Sequence, residues 1–395
     1  RSPSRGLGDV YKRQVSGFVS DKNKTKAVQY KLSGHNSSAL SSETVPAGQT
    51  ECRENYGQMP HAMLKNTAQA EKYRAKPLTS QQTQTTMNTE ANRKTEWVVG
   101  IGEALWDILP EGRKIGGAPA NFAYHMSQFG LRSCAVSAVG DDEAGRELRN
   151  QLREKGVGHM LETVPFPTGT VEVTLDGAGI PSYEIRQGVA WDNIPFTPQI
   201  EELARHTRAA CFGSLAQRSP VSHRTIGRFL ETMPDGEGQY KVFDINLRQH
   251  FYTQQVVEES LRKCNILKIN DEELAVVGSM FGLEGMQPGE QCRTLLDRYG
   301  LRIVILTCGA AGSSVFAPDT RSYIPTPRVE VADTVGAGDS FTASFLAALL
   351  SGLGIGEAHR LAVDVAAHVC SQHGAMPRLP ERFTARLRND GPAIR

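Results

Sequence analysis

The sequence predicts an α/β fold: a doubly wound, mostly parallel sheet with a small projecting β-sheet as a lid. Three observations carry this. From Trp97 onward, short apolar runs rich in β-branched residues alternate with longer amphipathic segments. The short runs are apolar nearly throughout, as strands covered by helices on both faces must be. One segment, Thr168–Arg186, breaks the rhythm with two alternating runs around a Gly-rich turn, a hairpin pattern.

Taken in order, WVVGIGEALWDI reads as one strand, ending at Asp107. PANFAYHMSQFG reads as a helix, with Pro in its first turn and Gly at its end. SCAVSAVG follows as a strand. DEAGRELRNQLREKG follows as a helix with acidic residues early and basic residues late, the order the helix dipole favours. After the hairpin come strands in AACFGSLA, KVFDIN, ILKIN and RIVILTCG, with helices such as VVEESLRKC and EQCRTLLDRYG among them. The hairpin is either a decorated edge or a lid over a site, and topology alone does not choose.

Residues 1–95 differ from the rest. Ser, Thr, Gln, Asn and Lys dominate, and no apolar period persists. Such a segment buries too little apolar surface to offset chain entropy, so disorder is expected. Much of residues 1–86 is also expected to be non-native, because SRGLGDVYKRQ resembles a translated read-assembly artefact and Met87 opens a short polar lead into the first strand. Intact-mass analysis of the native protein tests that. The expected division is a polar leader over 1–95, one α/β domain over 96–385 and a tail over 386–395.

Composition narrows the function. Lys plus Arg number 44 and Asp plus Glu 43, a formal net charge of +1, which gives no electrostatic case for nucleic acid or an anionic membrane. No run of 18 apolar residues suggests a membrane span. Seven scattered cysteines without a Cys-x-x-Cys pair predict neither a disulfide framework nor a zinc cluster, and reduced thiols in a cytoplasmic protein are expected.

The segment richest in chemistry is DTVGAGDSF, Asp333–Phe341, followed by the apolar helical run TASFLAALLSGLG. A Gly336-Ala337-Gly338 turn at a helix start leaves backbone N–H groups free and aims the helix dipole at the turn. That suits an anion, above all a phosphoryl group in transfer. Asp339 falls in the first helical turn, where a plain N-cap is the competing reading.

This segment resembles the second signature of the ribokinase/PfkB family of carbohydrate kinases. GGAPANFAYHMSQFG, Gly116–Gly130, resembles the first signature, and the two stand in the family's order over a match from about Val98 to about Pro380. The resemblance implies a ribokinase-like fold and an ATP-dependent sugar kinase. It implies Asp339 as general base, taking a proton from a sugar hydroxyl, with Gly336, Ala337 and Gly338 as the anion hole. NDEE resembles the family's Asn-x-x-Glu motif, so Asn270 and Glu273 are expected to organise Mg2+ through its waters; an acidic helix start is the plainer alternative. LTCGAAGS resembles the nucleotide loop, with Thr307, Gly309 and Gly312 toward ATP. SQHGAMP resembles the segment closing the adenine side, where Gly374 and Asp333 match positions that hold a monovalent cation such as K+ in some relatives. Asp107, Gly116, Gly117 and Asn121 would line the sugar pocket. In FDINLR, Asn246 and Arg248 would contact substrate or phosphate, while Asp244 would only cap a strand end.

GEALWDILPEG, GGAPANFAYH and GVAWDNIPF resemble fructokinases of the bacterial type most, which implies D-fructose phosphorylated at carbon 6. Trp106, Phe122 or Trp191 would stack on the sugar ring or belong to the core. A homodimer paired through the lid is expected from the same resemblance. Ribokinase, ketodeoxygluconate kinase and adenosine kinase are the alternatives sharing the reaction, and a non-catalytic kinase-like scaffold, a path some family relatives have taken, is the alternative from another functional class. A dinucleotide-dependent oxidoreductase is opposed, since no Gly-x-Gly-x-x-Gly opens the first βα unit.

Overall fold

A computed structural model of the chain describes residues 96–109, 112–175, 181–385 and 387. The leader, the DGAG turn and most of the tail lie outside the described residues.

Side-chain alternation along the strands builds the two-sided core. On β1 (Trp97–Ile101), Val98 faces one side and Val99 and Ile101 the other. The same split recurs on β8 (Thr207–Phe212), β10 (Ile266–Asn270) and β11 (Ile303–Thr307). One face packs against α1 (Ala118–Gln128), α8 (Ala337–Leu350) and α9 (Ile355–Cys370). The other packs against α3 (Pro198–Arg205), α4 (Pro220–Thr232), α5 (Gln254–Lys263), α6 (Asp271–Met280) and α7 (Pro288–Tyr299). Burial on both faces is why these strands lack polar alternation.

With β4 (Ser133–Gly140), β5 (Gly158–Val164), β9 (Tyr240–Asp244), β12 (Ser313–Ala317) and β13 (Thr320–Ile324), the nine strands run in the order β13-β12-β11-β10-β9-β8-β1-β4-β5. Seven are parallel, and β12 and β13 form an antiparallel edge. The chain builds outward from β1 through β4 and β5, then returns to β8 on the other side. The strand order therefore reverses between β1 and β8, and ligands of open α/β sheets bind beyond the carboxyl ends at such a point.

The first strand is shorter than the sequence reading. WVVGIGEALWDI is two strands, because Gly102 at φ 148° turns the chain out of the large sheet. The second half is β2 (Leu105–Leu109), which pairs antiparallel with β3 (Gly112–Gly116) and parallel with β6 (Gly169–Leu175); β7 (Pro181–Ile185) closes a four-stranded sheet in the order β3-β2-β6-β7. The expected hairpin is thus half of a separate small sheet. Asp107 sits on that sheet and does not end the first strand of the large one.

Candidate active site

The carboxyl ends of β8 and β9 meet the start of α8 at one cavity. Gly336 is the N-cap of α8 at φ 77°, a left-handed conformation that glycine adopts without steric cost. A Cβ there would meet Ala375 Cα and its carbonyl oxygen at 2.7 Å. The helix begins at Ala337, and its first amides remain without intrahelical acceptors. Asp339 lies within this first turn but is not the N-cap. Its Oδ2 accepts a hydrogen bond from Asn121 Nδ2 at 2.8 Å, across 218 residues of sequence. The two glycine-rich segments therefore meet at one carboxylate. Burial and the nearby Asp244 push that carboxyl up to about 6, against the Asn121 bond and the Lys268 and Arg248 cations.

Asp339 faces a narrow cavity shared with Ala118, Phe122, Gly213, Asp244 and Asn246. A larger hollow of about 380 Å³, lined by Trp97, Met160 and Leu203, opens at the opposite end of β1. Convergent polar groups and the strand-order reversal belong to the Asp339 end, so the chemistry is assigned there.

Asp244 does more than cap a strand. It is 3 % exposed, its Oδ1 lies 2.9 Å from Lys268 Nζ, and its Oδ2 accepts from Thr342 Oγ1 at 2.8 Å. Lys268 on β10 is 5 % exposed. Burial alone would lower its ammonium, but Asp244 and Glu273 outweigh that and hold it above the ordinary lysine value. A Cβ on Gly338 would stand 3.0 Å from Lys268 Nζ, so a buried cation backs the start of α8. Sequence reading missed Lys268 and Thr342. A lone Lys inside the apolar run ILKIN was the available signal, because a buried lysine requires a partner.

Asn270 and Glu273 form a reciprocal capping box at the start of α6. Asn270 Oδ1 accepts from Glu273 N at 2.8 Å, and Glu273 Oε2 accepts from Asn270 N at 3.0 Å. Glu273 Oε1 also accepts from Leu247 N at 3.1 Å, and burial raises the carboxyl. With both oxygens held by amides and the residue 4 % exposed, direct metal ligation by Glu273 does not fit. Among the described residues, no cluster of three or more His, Cys, Asp or Glu is arranged to hold a metal ion. Asp333 accepts from Val335 N and Gly374 N, both at 3.1 Å, so the expected Asp333–Gly374 pair is brought together, by a hydrogen bond.

The remaining candidates fall on either side. Asn246 sits just past β9 in left-handed backbone at φ 42°. Arg248 donates to its Oδ1 at 3.1 Å and to Leu247 O at 3.2 Å. Thr307 ends β11, two strands from β9 and hence about 10 Å away. A 3-10 turn over Gly309–Ala311 follows, with Gly312 at φ 128° where a Cβ would meet the Ile324 carbonyl at 2.7 Å. On the small sheet, a Cβ at Gly116 would run into the Asp107 carboxylate, and one at Gly117 would run into the Glu103 carbonyl. Burial pushes the Asp107 carboxyl up to about 6 against Arg248 and Lys114. Trp106 and Trp191, at 0 % and 1 % exposed, are core residues: Trp106 Nε1 donates to Ala144 O, and the Arg218 guanidinium covers the Trp191 ring. Neither presents a face to a sugar, and Phe122, 1 % exposed, only lines the cavity floor.

The chain matches the pfkB family of carbohydrate kinases over residues 111–382, well over half of its length. It is 30 % identical over 306 residues to a fructokinase of Klebsiella pneumoniae, covering 72 % of this chain and 95 % of that one. It is 29 % identical over 290 residues to a nucleoside kinase of Methanothermobacter thermautotrophicus, covering 70 % and 87 %. A sugar kinase of Pyrococcus horikoshii, solved in complex with ATP, superposes with a TM-score of 0.59 at 26 % identity over 71 % of this chain and 94 % of that one.

Proposed function

The chain belongs to the pfkB family of carbohydrate kinases, and from that premise we propose that it transfers the γ-phosphate of ATP to a primary hydroxyl of D-fructose, giving fructose 6-phosphate. The observation that carries this is the Asp339 carboxylate, seated in the first turn of α8 and held by Asn121 at 2.8 Å. In the proposed reaction, Asp339 Oδ accepts the proton of the attacking hydroxyl. The amides of residues 336–338, backed by Lys268, receive the charge that spreads over the transferring phosphoryl oxygens. Asp107, Asn121 and the Gly116-Gly117 backbone hold the sugar hydroxyls. Asn246 and Arg248 stand between sugar and phosphate. Thr307, Gly309 and Gly312 receive the nucleotide about two strand spacings away.

Asn270 and Glu273 would hold magnesium through its waters, and the ion would neutralise phosphate charge. Asp333 and Gly374 would frame a monovalent cation such as K+. The small sheet closes over the sugar and excludes water as a competing acceptor. A nucleoside kinase is the second reading, favoured by the similar identity to the archaeal relative. A coupled ADP-release screen over fructose, ribose, ketodeoxygluconate, tagatose and adenosine tests the choice; a clear preference for any acceptor but fructose overturns the fructose assignment.

Two predictions arise here. A base must be ionised to accept a proton, and the Asp339 carboxyl is raised to about 6. We therefore expect kcat/KM for fructose to hold above pH 6 and to fall about tenfold per unit below it. An acid limb centred near pH 4 would remove the raised carboxyl from the rate law. Gly116→Ala places a methyl group against Asp107 and forces that carboxylate aside. We expect KM for fructose to rise about tenfold or more, because a hydroxyl-binding group is displaced. An unchanged KM would separate Asp107 from the sugar.

A further inference from the structure

Glu103 takes no part in the reaction proposed above, yet it stands at the point where the strand order reverses. It follows Gly102, where the chain leaves the large sheet for the small one. Its backbone carbonyl packs directly beneath Gly117. The residue is 4 % exposed, and its Oε2 is buried without a hydrogen-bond partner. Buried carboxyl oxygens nearly always have partners, so an unpartnered one within electrostatic reach of Asp339 and Arg248 is a functional candidate.

Charge around it is unevenly distributed. The Arg248 guanidinium lies within electrostatic reach of Glu103, Asp107, Glu273 and Asp339. It is also tethered to Asn246 Oδ1 and Leu247 O. On the small sheet, Lys114 stands opposite Asp107 in the β2–β3 register. Three carboxyl groups (Glu103, Asp107 and Asp339) therefore border the acceptor end against Arg248 and Lys114. Burial pushes Glu103 up to about 7; its own amide, Arg248 and the Ala118 amide oppose the rise, and Asp339 adds to it. The site thus already resists ionisation of its own carboxyls, and a further anion would meet the same resistance.

We propose that Glu103 is a specificity-determining residue of the acceptor end: with Asp107 it makes a site for uncharged polyhydroxy acceptors and turns away acceptors bearing a phosphate or a carboxylate. The inference rests on the kinase reading above and deepens it by fixing the charge class of the acceptor. An uncharged sugar offers hydroxyl donors to the unpartnered Glu103 oxygen. A phosphosugar or a sugar acid offers only like charge there, and specificity follows from that repulsion.

The test compares kcat/KM at pH 8, above both raised values, for D-fructose, fructose 6-phosphate and ketodeoxygluconate with Mg-ATP. The wild type is expected to prefer fructose over either anion by at least about 100-fold, and Glu103→Gln is expected to narrow that ratio about tenfold. The wild-type ratio alone keeps the test sharp if the variant folds poorly. Preference for an anionic acceptor, with kinase activity intact, overturns this inference and leaves the kinase reading standing. So does a Glu103→Gln enzyme slowed equally on all three acceptors, which is the mark of a purely structural carboxyl. Absence of phosphorylation of any acceptor removes the kinase reading itself, and this inference with it.

Discussion

Asp339→Asn is expected to lower kcat on fructose by about 10²–10⁴, the range for losing a positioned general base. The substitution keeps the side-chain volume and one carbonyl oxygen, so Asn121 Nδ2 retains its acceptor. It removes a buried charge whose folded-state carboxyl is raised to about 6. A raised carboxyl sets its protonated form as the one the fold prefers. Above the unfolded value the ionised group therefore works against the native state, and the penalty is complete above pH 6. A neutral amide escapes that penalty. The melting temperature at pH 7.5 is thus expected to match the wild type or exceed it while turnover collapses. Near wild-type turnover would remove Asp339 from the base role. Collapse of both turnover and melting temperature would make it a structural residue.

How much of this was legible in the sequence depended on whether neighbours in space were neighbours in the chain. The glycine turn before α8 was visible because Gly336, Ala337, Gly338 and Asp339 are contiguous and open an apolar helix. The hairpin in Thr168–Arg186 was visible because strand alternation is local. Its other half was not. The polar break between β1 and β2 spans only Gly102 to Ala104, and a left-turning glycine within an apolar run looks like continued strand. The hydrogen bond between Asn121 and Asp339 was not legible, since 218 residues separate them; the resemblance implied only a sugar-pocket role for one and a base role for the other. Asp244 and Lys268 lie 24 residues apart on strands that become adjacent only in the folded sheet, so the acid was read as a strand cap. For the aromatic residues the sequence left stacking on a sugar open beside the core reading, and burial decides for the core. Trp106 and Trp191 sit beside recognisable motifs, but their bulk is used to fill the base of the small sheet.

Lys268→Met is expected to cost both stability and turnover, and the two losses have separate origins. The ammonium and the Asp244 carboxylate are 7 % and 4 % exposed and 2.9 Å apart. Removing the cation alone leaves a buried carboxylate with Thr342 Oγ1 as its remaining side-chain donor among the described residues, at 2.8 Å. Breaking a buried pair in this way costs about 3–5 kcal/mol. At about 2–4 °C per kcal/mol for a large domain, the melting temperature should fall by roughly 10 °C. Lys268→Met combined with Asp244→Asn removes both charges. It should recover much of that loss, because the penalty comes from the orphaned partner rather than from the absent pair. Turnover should not recover with it. Lys268 backs Gly338 and draws the Asp339 carboxyl downward, so its loss strips positive potential from the proposed phosphoryl site in both variants; it moves the acid limb of kcat/KM to higher pH in Lys268→Met, whereas loss of the Asp244 charge opposes that shift in the double variant. Thermal melts and pH profiles of the two single variants and the double variant separate the effects. A Lys268→Met protein melting within about 2 °C of the wild type would show that the pair carries no net stability. An acid limb left in place in Lys268→Met would detach Lys268 from the base.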